Sequence, residues 1–246
     1  MAISESKQLN KQDLDYLNKQ FEVSQPQDVL VWANEHFGNK VIQMSSFGIE
    51  DVVLFDMFWN INPQARLATI DTWRLPTETY EVIDEVKKRY GTNVEIHQPN
   101  LANVNQMLEE HGFNLFYRSI PNRLTCCHIR KVEPLGRALA SVKAWITGLR
   151  RNQGTSRTTT PIIEWDDPHT CYKINPLARW TYSQIRDYVD KNSIPYNKLH
   201  DQGYPSIGCA PCTRAIKLDE DPRSGRWWWE SNQTAKECGL HPIKSK

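Results

Sequence analysis

Short apolar runs and longer mixed segments alternate along most of the chain. The runs at Lys40–Met44, Arg66–Ile70, Asn93–His97 and Ala144–Gly148 predict buried strands. Between them, Ile49–Trp59 reads as an apolar helix, Pro76–Tyr90 as an amphipathic helix stopped by Gly91, and Leu101–His111 as a further helix. Another helix is expected to begin near Cys126. A helix over Pro26–Phe37 has proline near its first turn and Gly38 as its stop. Thr181 caps a helix running to about Lys191. This rhythm predicts an α/β fold with a mainly parallel, twisted sheet flanked by helices. Such sheets bind ligands beyond the carboxyl ends of their strands, at the loops Ser45–Gly48, Asp71–Leu75 and Gly148–Arg157. Residues 1–25 are expected as an N-terminal helical arm, residues 26–192 as the α/β unit, and residues 193–246 as a loop-rich C-terminal segment, all within a single domain.

Composition narrows the class. The chain has 246 residues, 39% of them hydrophobic and 24% charged, which is globular and not disordered. No apolar run is long enough to span a bilayer, and the first residues carry no signal-peptide stretch, so a cytoplasmic protein is expected. In that compartment cysteines serve more often as metal ligands or nucleophiles than as disulfides. The net charge of +1 conceals a basic stretch: Arg118, Arg123, Arg130, Lys131, Arg137, Lys143, Arg150, Arg151 and Arg157 face only Glu133. That stretch reads as an anion-attracting field, a solvated face or a nucleic-acid patch.

The six cysteines are clustered. Cys126 and Cys127 are adjacent, and Cys209-Ala-Pro-Cys212 is a C-x-x-C. Four thiolates suit zinc or an iron–sulfur cluster. Adjacent residues point apart on a helix or strand, which is awkward around one tetrahedral ion, whereas a cubane offers a separate iron to each neighbour. The spacing therefore favours [4Fe–4S]; the alternative is a buried apolar Cys126–Cys127 with only the C-x-x-C binding. Cys238 lies beside Lys236 and His241, as a reactive thiolate or an incidental tail residue. Cys171 reads as a buried small hydrophobe. Ser45-Ser46-Phe47-Gly48-Ile49-Glu50-Asp51 opens a helix straight after a strand, as a nucleotide cradle or simply a capped start. Trp227-Trp228-Trp229 cannot all face one core, so some cover a partner surface or the cysteines.

Five segments together carry a resemblance. They are the serine loop just given; Asp71-Thr72 with Thr77-Glu78-Thr79-Tyr80; Cys126-Cys127-His128-Ile129-Arg130-Lys131; His200 through Cys212; and Glu237-Cys238-Gly239-Leu240-His241. Over roughly residues 40–241 the chain resembles assimilatory adenylyl-sulfate (APS) reductases, the iron–sulfur branch of the APS/PAPS reductase family. The resemblance implies an adenine nucleotide α-hydrolase-like (PP-loop) fold. It implies thioredoxin-dependent reduction of APS to sulfite and AMP in sulfate assimilation and cysteine biosynthesis, with thioredoxin or glutaredoxin as donor. Under it, Cys126, Cys127, Cys209 and Cys212 hold a [4Fe–4S] cluster and Cys238 is the nucleophile that forms an S-sulfocysteine. Lys131, Arg223, Arg226 and His241 match sulfate-contacting positions, and Ser45, Ser46, Gly48, Arg150 and Arg151 match loops lining the nucleotide. Lys131 lies four residues after Cys127, so the two are expected on one helical face. Trp73 stands where the family usually has glycine; a tryptophan needs ordinary backbone angles, so that loop is expected to sit differently.

A PAPS or dual APS/PAPS reductase is the nearest rival, although PAPS-specific relatives typically lack the four cysteines. A tRNA-thiolating enzyme of the same fold is disfavoured because Ser45–Gly48 lacks the double glycine of Ser-Gly-Gly-x-Asp-Ser. A metal-binding RNA module is a third reading. Neither nucleic acid nor membrane is expected as a partner, and a homo-oligomer is left open.

Overall fold

The computed structural model describes residues 9–154, 157–230 and 238–240. A six-stranded sheet is built from β1 (Val41–Ser45), β2 (Arg66–Ile70), β3 (Val94–His97), β4 (Ala144–Ile146), β5 (Ile163–Asp166) and β6 (Cys171–Ile174). Their order is β3-β2-β1-β4-β6-β5, and every pairing is parallel except β5 with β6. The first four expected strands are thus present. The antiparallel edge strand β5, Ile163-Glu164-Trp165-Asp166, was not anticipated: it is only four residues long and carries two acids, as an edge strand can.

The helices are α1 (Lys11–Phe21), α2 (Pro26–Phe37), α3 (Ile49–Ile61), α4 (Thr77–Tyr90), α5 (Leu101–His111), α6 (Ile120–Cys127), α7 (Glu133–Leu139) and α8 (Tyr182–Asn192). Helix α3 is buried from Ile49 through Phe58, as its lack of a polar face requires. Its one buried acid in mid-helix, Asp56, accepts hydrogen bonds from Tyr90 (2.8 Å) and Tyr188 (2.9 Å), which fastens α4 and α8 to it. The helix expected to begin near Cys126 instead ends there. Ser119 caps α6 by accepting from the Asn122 amide, with Pro121 in the first turn. A π-helical turn, His128–Val132, then separates α6 from α7.

Residues 9–25 pack onto the core rather than projecting from it. Phe21 is buried, with Leu9, Leu14 and Leu17 beside it. The Asn18 side chain accepts from the amides of Ile162 (2.9 Å) and Ile163 (3.0 Å) and donates to the Ile163 carbonyl (2.8 Å). One side chain therefore satisfies the strand end that a second chain would otherwise pair.

Replacing Asn18 with Ala strands three backbone groups at the edge of β5. The expected loss is about 1–3 kcal/mol, seen as a lower denaturant midpoint at unchanged slope. An unchanged midpoint would show that water replaces Asn18 without cost.

Candidate active site

The carboxyl ends of β1, β2 and β4 open onto a cleft of about 400 Å³, where a parallel sheet is expected to receive ligands. Ser45, Ser46 and Gly48 line it. Both serine hydroxyls, however, also hold the loop. Ser45 Oγ accepts from the Phe47 amide (3.0 Å), and the Ser46 amide and hydroxyl both donate to Asp51 (2.6 and 2.7 Å). Phe47 takes a left-handed backbone, φ +56°, while its ring is buried, so core packing offsets the strain of the turn. Burial pushes the Asp51 carboxyl up to about 6, against the lowering effect of the Ser46 donors.

On the β4 side, Arg150 donates through Nε and Nη2 to Glu50 (2.9 and 2.8 Å), a nearly buried ion pair in the cleft wall. Arg157 and His200 also line the cleft, and the Ile49 amide at the start of α3 donates to His200 Nε2 (3.1 Å). Arg151 points elsewhere: it pairs with Glu22 at the end of α1 and donates to the Thr160 carbonyl (2.9 Å), outside the cleft lining.

Lys131, Arg223, Arg226 and Cys238 line the same cleft, with Arg223 alongside Gly154 of the β4 loop. Lys131 and Cys238 are each only 9% exposed. Burial disfavours the Lys131 charge, but the thiol groups of Cys209, Cys238 and Cys127 outweigh it and hold the ammonium above the ordinary lysine range. Arg226 donates to Ser206 Oγ and the Ile207 carbonyl (3.4 and 3.3 Å). A Cβ at position 208 would lie 2.2 Å from its guanidinium, so a side chain there would push the guanidinium aside. His241 lies outside the described residues.

Behind Lys131, Cys126, Cys127, Cys209 and Cys212 line one small cavity, all buried. The π turn follows the tandem cysteines directly and buries both Arg130 and Lys131. The expected plain helical spacing from Cys127 to Lys131 is thereby replaced by a wider turn that still leaves the two side chains electrostatically coupled. Thr72 Oγ1 lies 3.3 Å from Cys209 Sγ, and Arg130 donates to the Thr72 carbonyl (2.9 Å), which ties the β2 loop to both cysteine segments. Trp73 in that loop has φ +58°. Contrary to the expectation of ordinary backbone angles, Trp73 thus takes a left-handed turn that glycine would favour, with Asp71 accepting from its amide (2.8 Å).

Burial raises the thiols of Cys127 and Cys212 to about 12 and that of Cys126 above its ordinary value. Burial also works to raise Cys209, but Lys131, the Thr72 hydroxyl and Arg226 hold it below the thiol range. Among the described residues, three buried N–H donors on this cavity lack a protein acceptor: Arg130 Nε, Arg226 Nε and Trp227 Nε1. Trp227 is 1% exposed, with the guanidiniums of Arg123 and Arg226 lying 4.5 and 4.7 Å from its ring centre. Trp229 packs on Tyr117 and Trp228 is exposed, so the three tryptophans do divide between interior and surface. Arg123 also pairs with Glu230 at 2.6 Å, both side chains almost fully buried, and this pins the chain where it enters the tail. Cys171 sits buried in β6, away from this group.

The model of the phosphoadenosine phosphosulfate reductase domain matches residues 40–215. The chain belongs to this family. It is 47% identical over 203 residues to the adenosine 5'-phosphosulfate reductase of Allochromatium vinosum, covering 82% of this chain and 79% of that one. It is 46% identical over 215 residues to adenosine 5'-phosphosulfate reductase 1 of Bacillus subtilis, covering 87% and 89%. The crystal structure of phosphoadenylyl-sulfate (PAPS) reductase from Candida auris, a phosphate complex, superposes with a TM-score of 0.73 at 32% identity, over 86% of this chain and all of that one. The fold is accordingly the α/β, PP-loop-like fold of these proteins.

The sequence motifs contained Glu50, Asp51 and His200 but gave them no role. An acid pair at the start of a helix and a histidine before a glycine-rich turn are the signals that mark them. Arg123 and Glu230 are too far apart in sequence to be paired by eye.

Two outcomes follow. The Asp51 carboxyl is raised from 3.8 to about 6, so its protonation favours folding. That stabilisation is complete below about pH 4 and is lost as the pH rises through 6, on the order of 2–3 kcal/mol. In denaturant titrations from pH 4 to 8, Asp51→Asn removes this component; an identical pH profile in both proteins would contradict it. Glu230→Ala takes away the carboxylate that the buried Arg123 guanidinium pairs with, an expected loss of about 3–5 kcal/mol, whereas a loss under 1 kcal/mol would show that this pair is not what holds the segment in place.

Proposed function

We propose that the cleft reduces adenylyl sulfate to sulfite and AMP, with Cys238 as nucleophile. The observation that carries this reading is that Cys238, Lys131, Arg223 and Arg226 line one nucleotide-sized cleft together with the Ser45–Gly48 loop and Arg150. The curated relatives named above as adenosine 5'-phosphosulfate reductases support the substrate.

Sulfate and thiolate are both anions, so their approach needs compensation. Lys131, Arg223 and Arg226 provide it and also balance charge developing on the sulfate oxygens. The Cys238 sulfur bonds to the sulfate sulfur, the bridging S–O bond breaks, and AMP leaves with the electron pair. Cys238 is then an S-sulfocysteine. An external thiolate attacks its inner sulfur, and sulfite leaves with that bond's electrons. The second thiol of the donor resolves the mixed disulfide, returning the Cys238 thiol and a donor disulfide, so the two electrons come from the dithiol. A thioredoxin or glutaredoxin in the cytoplasm is a donor of this chemistry. Among the described residues no helix is long and apolar enough to cross a membrane. The pathway served is sulfate assimilation toward cysteine.

In this reading Cys126, Cys127, Cys209 and Cys212 hold a [4Fe–4S] cluster. Two observations support the fit. The four thiols surround one small cavity. The unpartnered N–H groups of Arg130, Arg226 and Trp227 line that cavity, where anionic sulfur would accept from them. A bound cluster supplies negative charge and a rigid frame beside Lys131. Lys131, between this cavity and Cys238, then directs its charge toward the reacting anions.

Cys238→Ser is expected to abolish sulfite release from APS while the visible absorption of the iron–sulfur protein is retained. Turnover near wild type would overturn the nucleophile. A colourless protein with stoichiometric zinc would overturn the cluster, and equal or better use of PAPS would overturn the substrate.

A further inference from the structure

The residues on either side of the cleft explain how anions are held but not how the tail thiol is aimed. Cys238 is buried, and the segment that carries it is described for only two residues beyond it, Gly239 and Leu240. Leu240 is half-buried and touches two apolar groups at once. One is the floor beneath the cleft, including Met44, Leu135 and Trp145. The other is the group around the four clustered cysteines and Trp227, to which Cys238 itself belongs. Gly239 takes φ +89°, and a Cβ there would lie 3.3 Å from Val132 Cγ2, so the chain turns tightly against the π turn that carries Lys131.

We infer that Leu240 is a positioning residue, whose apolar side chain seats the tail between these two groups and so sets the Cys238 thiol in the cleft. A single leucine is well suited to this. Its contacts are non-directional, so the seat holds without any hydrogen bond that must be broken on release. With Leu240 seated, Cys238 is only 9% exposed and closed to a protein-sized dithiol. With it unseated, the thiol is open. The same side chain therefore favours the attack step and must let go before the reductive step. The first half of this inference needs only the geometry; the second rests on the proposed reduction.

Labelling of Cys238 by iodoacetamide, followed by peptide mass mapping without nucleotide, reads the seat directly. Leu240→Ala is expected to label roughly tenfold faster or more, with an unchanged thermal midpoint and visible absorption, while Leu240→Met labels at the wild-type rate. In single turnover, Leu240→Ala forms S-sulfocysteine roughly tenfold more slowly at retained APS affinity. Gly239→Ala, strained at its positive φ, is a second variant expected to raise labelling as well. Unchanged labelling in both Leu240→Ala and Gly239→Ala would overturn the seat, as would a Leu240→Met protein as open as the alanine variant. If wild-type protein forms no S-sulfocysteine at all, the proposed reaction fails while labelling still judges the seat.

Discussion

A lysine ammonium held out of water must be matched by negative charge, and Lys131 is only 9% exposed. The sulfur groups that face it come from three places in the chain: Cys127 at the end of α6, Cys209 in the C-x-x-C, itself held below the thiol range, and Cys238 in the tail. These segments meet at that one cation. The π turn, the glycine at position 208 and the Thr72 contact to Cys209 each serve the same convergence. Lys131 stands between the four-thiol cavity and the cleft, so whatever charge accumulates on either side is felt at the other. This is the electrostatic link between the two halves of the site.

The basic stretch shows how folding redistributes charge that looks continuous in sequence. Arg123 goes to Glu230, Arg137 to Glu133, Arg150 to Glu50 and Arg151 to Glu22. Arg130 turns inward to a backbone carbonyl. What reaches the cleft is a small set, Lys131, Arg150 and Arg157, joined by Arg223 and Arg226 from far along the chain. An apparent field of nine cations becomes a few cations gathered in one cleft, among them Arg150, Arg157 and Arg226 with fixed hydrogen-bond partners. Fixed cations lose little on meeting an anion, because their orientation is already set.

The parallel core was legible because its strands are short apolar runs between capped helices; Arg66–Ile70, Leu101–His111 and Pro26–Phe37 have the expected bounds. The edge strand β5 was not, since four residues with two acids carry little apolar signal, and α6 was misplaced because its start lies in Ser119 and Pro121 rather than in its cysteines. At the site, cysteine spacing identified the four-thiol group, but no local pattern distinguishes Arg150 from its neighbour Arg151. Only the third dimension shows that one joins Glu50 in the cleft wall and the other binds the N-terminal helix. Trp73 is the reverse case: a residue whose backbone preference argues against a left-handed turn adopts one because Asp71 and the docked cysteine loop fix both of its sides.

The central claim is that Cys238 takes up the sulfur before any external electrons arrive. Its most direct test is a single turnover with APS in the complete absence of a dithiol, read by product analysis and peptide mass mapping. The account predicts one equivalent of AMP, a sulfonate adduct on Cys238 and no free sulfite until a dithiol is added. Free sulfite without a dithiol, or an adduct on another cysteine, would contradict it.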